Sequence, residues 1–462
     1  MLFVSISHPD EFLKVQSLLP GQIQGVELRL DRFPEINKNL LQNLIETSSY
    51  PLMFTLRKVT HGGGFSASET ERESLIEQLL LLEPDFFDLE YDMNPVFLNR
   101  VLQKYKKTKF ILSYHSFEET PQNLYEIYQA MASFLVYGYK IATFAKSTND
   151  ALRLLLFARK HPQVSAICMG EKGQFARVLG FVCGNLLNYA SLQEGKETAP
   201  GQISVHDLVH IYGYTRLGPH TKLYGLIGDP VSKSRGHLYH NEVFRKKQLD
   251  CVYVKMQVQP EELSDFFPLA RDLGFQGLSV TMPLKEEVLP FLQGVDPQAQ
   301  FIGAINTLIF TKGQMIGTNT DGIGALDAIE KRRSVFGKRV VIIGAGGSAR
   351  AIAFEAHRRG SRVFVCNRTL QKAQKLAQEI GCKAGLLSDL PLVYDILINC
   401  SPVLPDIDPQ KILSSALVMD VVYVPRETPF LLMAKNAGCE VLCGEEMFFN
   451  QAASQLAKWS CL

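Results

Sequence analysis

Long apolar runs are missing from this chain. No stretch reaches the roughly 18 residues that cross a bilayer as a helix, which argues against an integral membrane protein. An excess of one charge is missing too. Lys and Arg number 48 against 47 Asp and Glu, a formal net charge of +1 with no basic run, so neither nucleic acid nor an anionic membrane is favoured as a partner. Cysteine pairing is sparse: nine cysteines are scattered from Cys168 to Cys461, and only Cys439 and Cys443 stand close together. That pattern supports neither a metal site nor a disulfide framework, and a reduced cytoplasm fits it best. The opening Met-Leu-Phe-Val-Ser-Ile-Ser is too short and strand-like for a signal peptide. Low-complexity segments and short repeats are absent as well.

What remains is the composition of a folded protein, 462 residues long and so beyond the reach of one core. Up to about residue 205, apolar runs alternate with helical stretches. The runs predict strands at Leu2–Ser7, Val26–Leu30, Leu52–Leu56, Phe86–Glu90, Lys109–Tyr114, Tyr139–Thr143, Ser165–Met169 and Leu187–Ser191. Between them, segments such as Gln122–Val136 and Asn149–Lys160 carry helical spacing. Eight strand–helix units imply an α/β fold, a (β/α)8 TIM-type barrel. Polar residues gather at the C-terminal ends of the runs, where barrel enzymes place their chemistry: Glu27, Arg29, Asp31, Arg57, Asp88, Glu90, His115 and, in a later loop, Arg177.

Around Tyr212–Thr221 the rhythm breaks into a linker, then restarts at Leu223–Ile227. The expected division is a barrel over 1–213, a linker over 214–222, a substrate lobe over 223–321 to which 445–462 return, and a Rossmann lobe over 322–444.

In the last lobe a buried strand runs into Gly344-Ala345-Gly346-Gly347-Ser-Ala349 and then a helix. Gly344 permits the tight turn, Gly346 lets the backbone approach a pyrophosphate, and the helix N-terminus offers free N–H groups to it. The next strand, Arg362–Cys366, ends in Asn367-Arg368-Thr369 where an NAD site usually has an acid. A guanidinium there can pair with a 2′-phosphate, which argues for NADP(H).

The substrate lobe carries Ser232 and Ser234, Ser279-Val-Thr281-Met-Pro-Leu-Lys285, Asn306-Thr307 and Asn319-Thr-Asp321 in loops between strands. Singly each passes for a turn or cap; together they suit a small polyhydroxylated acid. With the Gly-rich turn, the Asn-Arg-Thr element and Gln451, this set resembles shikimate dehydrogenase over residues 223–462. The resemblance implies substrate contacts from Ser232, Ser234, Thr281, Asn306, Tyr423 and Gln451, a proton-handling pair in Lys285 and Asp321, and a further cofactor contact at Gly444. Ser279 stands where the family usually has Asn, and Asn399-Cys-Ser-Pro-Val departs from its usual loop.

In the barrel, Lys140 lies inside the apolar strand Tyr137-Gly-Tyr-Lys-Ile-Ala-Thr-Phe144. Hydrophobic surroundings would disfavour its charged form and free an amine for Schiff-base chemistry; a lysine that snorkels to solvent is the alternative. His115 ends the preceding strand and could move a proton beside an imine. With Glu27-Leu-Arg29-Leu-Asp31, Thr55-Leu-Arg57, Arg177 and Ala199-Pro-Gly-Gln202, these residues resemble type I 3-dehydroquinate dehydratase over roughly residues 1–210. The resemblance gives Lys140 the imine, His115 the acid–base role and Arg177 the substrate carboxylate, with Glu27, Arg29, Arg57, Thr198 and Gln202 around the rest; no cofactor is implied for this half. His61-Gly-Gly replaces the family's Glu-Gly-Gly, whose Glu helps orient the histidine.

One family's product is the other's substrate, so the expected enzyme dehydrates 3-dehydroquinate and reduces 3-dehydroshikimate to shikimate. The alternatives are an aldolase barrel fused to a quinate dehydrogenase, against which Arg57, Arg177 and Arg368 argue, and a non-catalytic sensor. A sensor would be expected to lose Lys140, His115, Lys285 or Asp321, and all four are present.

Overall fold

The computed structural model describes residues 1–18 and 21–460, so Cys461 and the end of the expected returning segment lie outside it. Two compact units divide the chain: Met1–Lys222 with Asp250–Val258 and Ser264–Gly274, and the rest.

Eight strands make the first sheet: β1 (Leu2–Ile6), β2 (Gly25–Arg29), β3 (Leu52–Thr55), β4 (Phe86–Glu90), β5 (Lys109–Ser116), β6 (Gly138–Phe144), β7 (Val164–Met169) and β8 (Asn188–Ser191). Their order is β7-β6-β5-β4-β3-β2-β1-β8, parallel at every pairing, so the expected barrel is present. Each predicted strand is found within two residues of its expected ends. Both faces of these strands are covered, which is why they read as continuous apolar runs. Inside, Phe3, Met53, Phe86, Ile111, Ala142, Ile167, Leu187 and Tyr189 form one cluster that floors the mouth.

The seam between β7 and β8 is closed by a side chain. Asn185 Oδ1 accepts from Ala166 N at 3.0 Å, and its Nδ2 donates to Ala166 O at 2.9 Å, as a neighbouring strand would. Ser165 Oγ adds a bond from Leu187 N at 2.9 Å. The segment expected as a linker is anchored at its start: Tyr214 is buried and its hydroxyl donates to Gln22 O at 2.8 Å.

A second, mixed sheet holds β9 (Lys222–Gly228), β10 (Cys251–Gln257), β11 (Phe275–Val280), β12 (Gly294–Val295), β13 (Thr307–Thr311) and β14 (Gln314–Thr318), in the order β10-β9-β11-β13-β14-β12. The third is parallel throughout: β15 (Arg339–Ile343), β16 (Arg362–Cys366), β17 (Lys383–Gly385), β18 (Ile396–Asn399), β19 (Leu417–Asp420) and β20 (Glu440–Leu442). Its order β17-β16-β15-β18-β19-β20 reverses beside β15, the switch point where doubly wound sheets open a crevice for a dinucleotide. No helix among the described residues is long and apolar enough to cross a membrane.

Candidate active sites

Strand register assembles the barrel site. Parallel pairing sets Thr55 beside Asp88, Glu90 beside Ser113, and Ser113 beside Lys140. Lys140 is buried, and its Nζ donates to Asp88 Oδ2 at 2.9 Å, lies 3.8 Å from Glu27 Oε1 and sits 4.3 Å from the Tyr189 ring centroid. The expectation of a hydrophobic setting for this lysine is therefore corrected. Its chain neighbours are apolar, but β2 and β4 turn carboxylates toward it.

Asp88 is the hub. It also accepts from Arg57 Nη2 at 2.7 Å and Ser113 Oγ at 2.6 Å. Burial alone would raise its pKa, yet Arg57 and Lys140 outweigh that and hold the carboxyl below its ordinary value. Glu27 accepts from Ser5 Oγ at 2.5 Å and Thr55 Oγ1 at 2.9 Å.

His115 faces the same mouth as Lys140 and Arg177. Burial, then the positive charges of Arg57 and Lys140, push its pKa well below the ordinary 6.5. Its buried Nδ1 has no hydrogen-bond partner among the described residues. Arg177 Nε donates to Cys168 O at 3.1 Å, which leaves its buried Nη2 without a partner. Burial lowers its pKa to about 10. A buried guanidinium nitrogen at a cavity, with no partner among the described residues, suits an anion.

Arg29 is braced by a two-pronged pair with Asp31 at 3.0 and 2.8 Å. Thr198 N donates to Gln202 Oε1 at 2.8 Å, closing the far wall.

The group His61, Glu90 and Asp92 has ligand atoms within 4.8 Å of one another. Cations already hold its oxygens. Arg72 pairs with Glu90, Arg57 Nη1 lies 3.4 Å from Glu90 Oε1, and Lys58 Nζ lies 2.6 Å from Asp92 Oδ2. Burial would raise the Glu90 carboxyl, but His61 and the two guanidiniums bring it down to about 2. A metal ion would have to displace them.

In the second unit, Lys285 pairs with Asp321, which opens the helix Asp321–Glu330. Asn306 Nδ2 donates to Asp321 Oδ1 at 2.7 Å and lies 3.3 Å from Gln451 Oε1, while Asn306 Oδ1 accepts from Thr320 N at 2.9 Å. Thr281 follows β11 and lies against Gly228, where an added Cβ would stand 2.3 Å from its methyl. Ser234 Oγ accepts from Gly236 N at 3.1 Å and shapes the turn before the helix Gly236–Lys246; Ser232 shares that turn. The Tyr423 ring stacks on Phe448 at 5.2 Å. Ser279, in the family's Asn position, is tied at 2.8 Å to Gln455, which also reaches Asn306 O and Thr307 Oγ1.

The cofactor turn fits a dinucleotide. Gly344 has φ 116°, and at Gly346 nothing lies within 4 Å of where a Cβ would stand, so phosphate oxygens can approach. The helix Gly347–Arg358 starts there, with the N–H groups of its first turn unspent. Ala345 packs against the core beneath the turn, and Cys400 lines its other side, 3.4 Å from a Cβ at Gly344. Asn367 Nδ2 donates to Thr369 O at 3.0 Å. Arg368 is exposed, and no described carboxylate pairs with it. Gly444 opens the final helix where a Cβ would press on Val421 O at 2.5 Å. Sequence reasoning left Asp88 out of the site proper and missed Ser348, whose hydroxyl meets Lys285 and Asp321.

A buried lysine beside a histidine at a barrel mouth, and a Lys–Asp pair at a Gly-rich dinucleotide turn, define a class: a lyase barrel joined to a nicotinamide-dependent dehydrogenase. The type I 3-dehydroquinase family matches residues 2–218, the shikimate dehydrogenase substrate-binding domain 226–308, and shikimate/quinate 5-dehydrogenase 327–423. The chain is 35% identical to the shikimate biosynthesis protein AroDE of Chlamydia pneumoniae, over 99% of this chain and 95% of that one. It is also 35% identical to the chloroplastic bifunctional 3-dehydroquinate dehydratase/shikimate dehydrogenase of Arabidopsis thaliana, over 93% of this chain and 76% of that one. A crystal structure of a shikimate dehydrogenase in complex with NADP+ is 38% identical with a TM-score of 0.51, over 53% of this chain and 91% of that one. The chain belongs to the family of bifunctional 3-dehydroquinate dehydratase/shikimate dehydrogenases. It catalyses dehydration of 3-dehydroquinate and NADP(H)-dependent interconversion of 3-dehydroshikimate and shikimate.

Proposed function

We propose that Lys140 carries the imine and His115 the proton in the dehydratase, and that Lys285 and Asp321 handle the proton in the dehydrogenase. The single observation behind the first assignment is the placing of Lys140, His115 and the Arg177 guanidinium, whose Nη2 has no hydrogen-bond partner among the described residues, around one mouth. Asp88 steadies the ammonium, which must lose a proton before its nitrogen adds to the ketone of 3-dehydroquinate and water leaves. The iminium then draws electrons from the neighbouring C–H bond. His115, neutral because it is buried among cations, takes that proton and returns it to the departing hydroxyl. Hydrolysis of the imine releases 3-dehydroshikimate. Arg177 receives the carboxylate, and Glu27, Arg29, Arg57, Thr198 and Gln202 set the ring.

In the second site NADPH supplies the hydride when bound. Lys285 delivers the proton to the substrate oxygen, Asp321 aims the ammonium, and Asn306 aims Asp321. Ser232, Ser234, Thr281, Tyr423 and Gln451 surround the substrate. Gly344, Ala345, Gly346, Gly347 and Gly444 receive the cofactor backbone, and Asn367, Arg368 and Thr369 its adenosine end. The sheets support a barrel over 1–213, a linker over 214–222, a substrate lobe over 223–321 with 445–462, and a cofactor lobe over 322–444. The eight described cysteines stand as thiols, which supports work in a reducing cytoplasm.

Borohydride trapping with dehydroquinate tests the first assignment by intact mass. Wild type gains the reduced adduct and Lys140→Ala does not; labelling that survives the substitution removes Lys140 from the mechanism.

A further inference from the structure

The proton-handling pair has a third member that no assignment above uses. Lys285 Nζ donates to Ser348 Oγ at 2.9 Å, and Ser348 Oγ donates in turn to Asp321 Oδ2 at 3.1 Å. One hydroxyl thus closes a ring with the ammonium and the carboxylate. Asn306 occupies the other oxygen of Asp321, so all its near partners are fixed.

Ser348 stands at a particular place in the fold. It is the second residue of the helix Gly347–Arg358, directly after the Gly-rich turn. At its neighbour Gly347, an added Cβ would lie 3.3 Å from Lys285 Cδ, so the lysine stem packs along the turn itself. Lys285 follows β11 and Asp321 follows β14, both strands of the mixed sheet, whereas Ser348 lies on the helix that follows β15 of the parallel one. The hydroxyl is therefore a polar tie between the turn that receives a pyrophosphate and the pair that moves a proton.

We infer that Ser348 is a positioning residue of the dehydrogenase, locking the Lys285–Asp321 pair to the cofactor turn so that the ammonium is aimed where the cofactor is seated. This rests on the proposed role of that pair. An ammonium on a four-carbon stem keeps many rotamers, and Asp321 alone fixes its distance but not its direction. A second acceptor on a different element sets the direction. Such a tie acts on the chemical step, not on the affinity of the turn for phosphate, which comes from backbone N–H groups that Ser348 does not supply with its side chain.

The test uses the full chain, with the dehydratase on the same polypeptide as a control for folding. Ser348→Ala is expected to lower dehydrogenase kcat about tenfold, the loss of one hydrogen bond to a charged group, with the NADP+ dissociation constant by calorimetry within about twofold of wild type. Ser348→Thr keeps the hydroxyl and is expected to restore most of the rate. The inference fails if Ser348→Ala leaves kcat unchanged, if Ala and Thr lose activity alike, or if NADP+ binding weakens in step with kcat. Lys285→Met separates this from the underlying assignment: full turnover in that variant overturns the role of the pair, whereas a dead Lys285→Met beside a fully active Ser348→Ala overturns the tie alone.

Discussion

The imidazole of His61 lies over that of His115, with ring centroids 6.1 Å apart and planes inclined by 28°. His61 Nδ1 stands 3.4 Å from Glu90 Oε1, so the carboxylate sits behind His61 instead of beside the inner histidine. Where the dehydratase family usually has Glu, a second imidazole thus faces His115 at the same mouth.

That placement has a pH signature. Burial first, then Arg57, Lys140, His61 and Arg29, depress the His115 pKa, so the ring is neutral at and somewhat below 6.5. A depressed histidine contributes stability above its unfolded pKa, and that contribution is lost as pH falls through the folded value. Dehydratase kcat/KM is expected to hold level from neutral pH to well below 6.5. In His61→Ala, one of the groups that depress the His115 pKa is gone, so the acid limb climbs toward the ordinary histidine value. Superimposable profiles would take His61 out of proton transfer.

Arg177 sets function against stability. Its Nη2 is buried with no hydrogen-bond partner among the described residues. Arg177→Met fills the same space without a charge to desolvate. The KM for dehydroquinate is expected to rise about 100-fold, the value of two charge-assisted hydrogen bonds, while the melting temperature stays level or increases. A falling melting temperature with unchanged KM would make Arg177 a structural residue.

The barrel was legible because buried parallel strands are short unbroken apolar runs, and the turn at Gly344 was legible because phosphate binding needs glycine at fixed offsets. Relations across strands were not. Lys140 sits among Tyr139, Ile141 and Ala142 along the chain, and nothing local announces that register hands it to Asp88. Ser348 reads as part of the turn, since its partners are 63 and 27 residues away. Asn306 was chosen as a substrate contact, and nothing in its sequence setting announces that its amide also meets Asp321 and Thr320.

Cofactor choice is expected to rest on Arg368, which is exposed and has no carboxylate partner among the described residues. Arg368→Gln removes a fork that can grip a 2′-phosphate. The KM for NADPH is expected to rise roughly 10- to 100-fold with that for NADH little changed, measured by absorbance loss with dehydroshikimate. Equal losses with both carriers would place the arginine away from the phosphate.

The seam of the barrel gives a prediction that needs no chemistry. Asn185 stands in for a strand partner by bonding both the N–H and the C=O of Ala166, and its Nδ2 also reaches Asn188 Oδ1 at 3.1 Å. Asn185→Ala orphans two backbone groups at a place too buried for water to replace the amide, a cost of about 2–4 kcal/mol. Because two units share the chain, a single unfolding midpoint would blend them; the two activities report on them separately. Heating should inactivate the dehydratase of the variant several degrees below wild type while the dehydrogenase decays unchanged. If both activities decay as in wild type, Ala166 finds other partners and the barrel does not depend on that amide for closure.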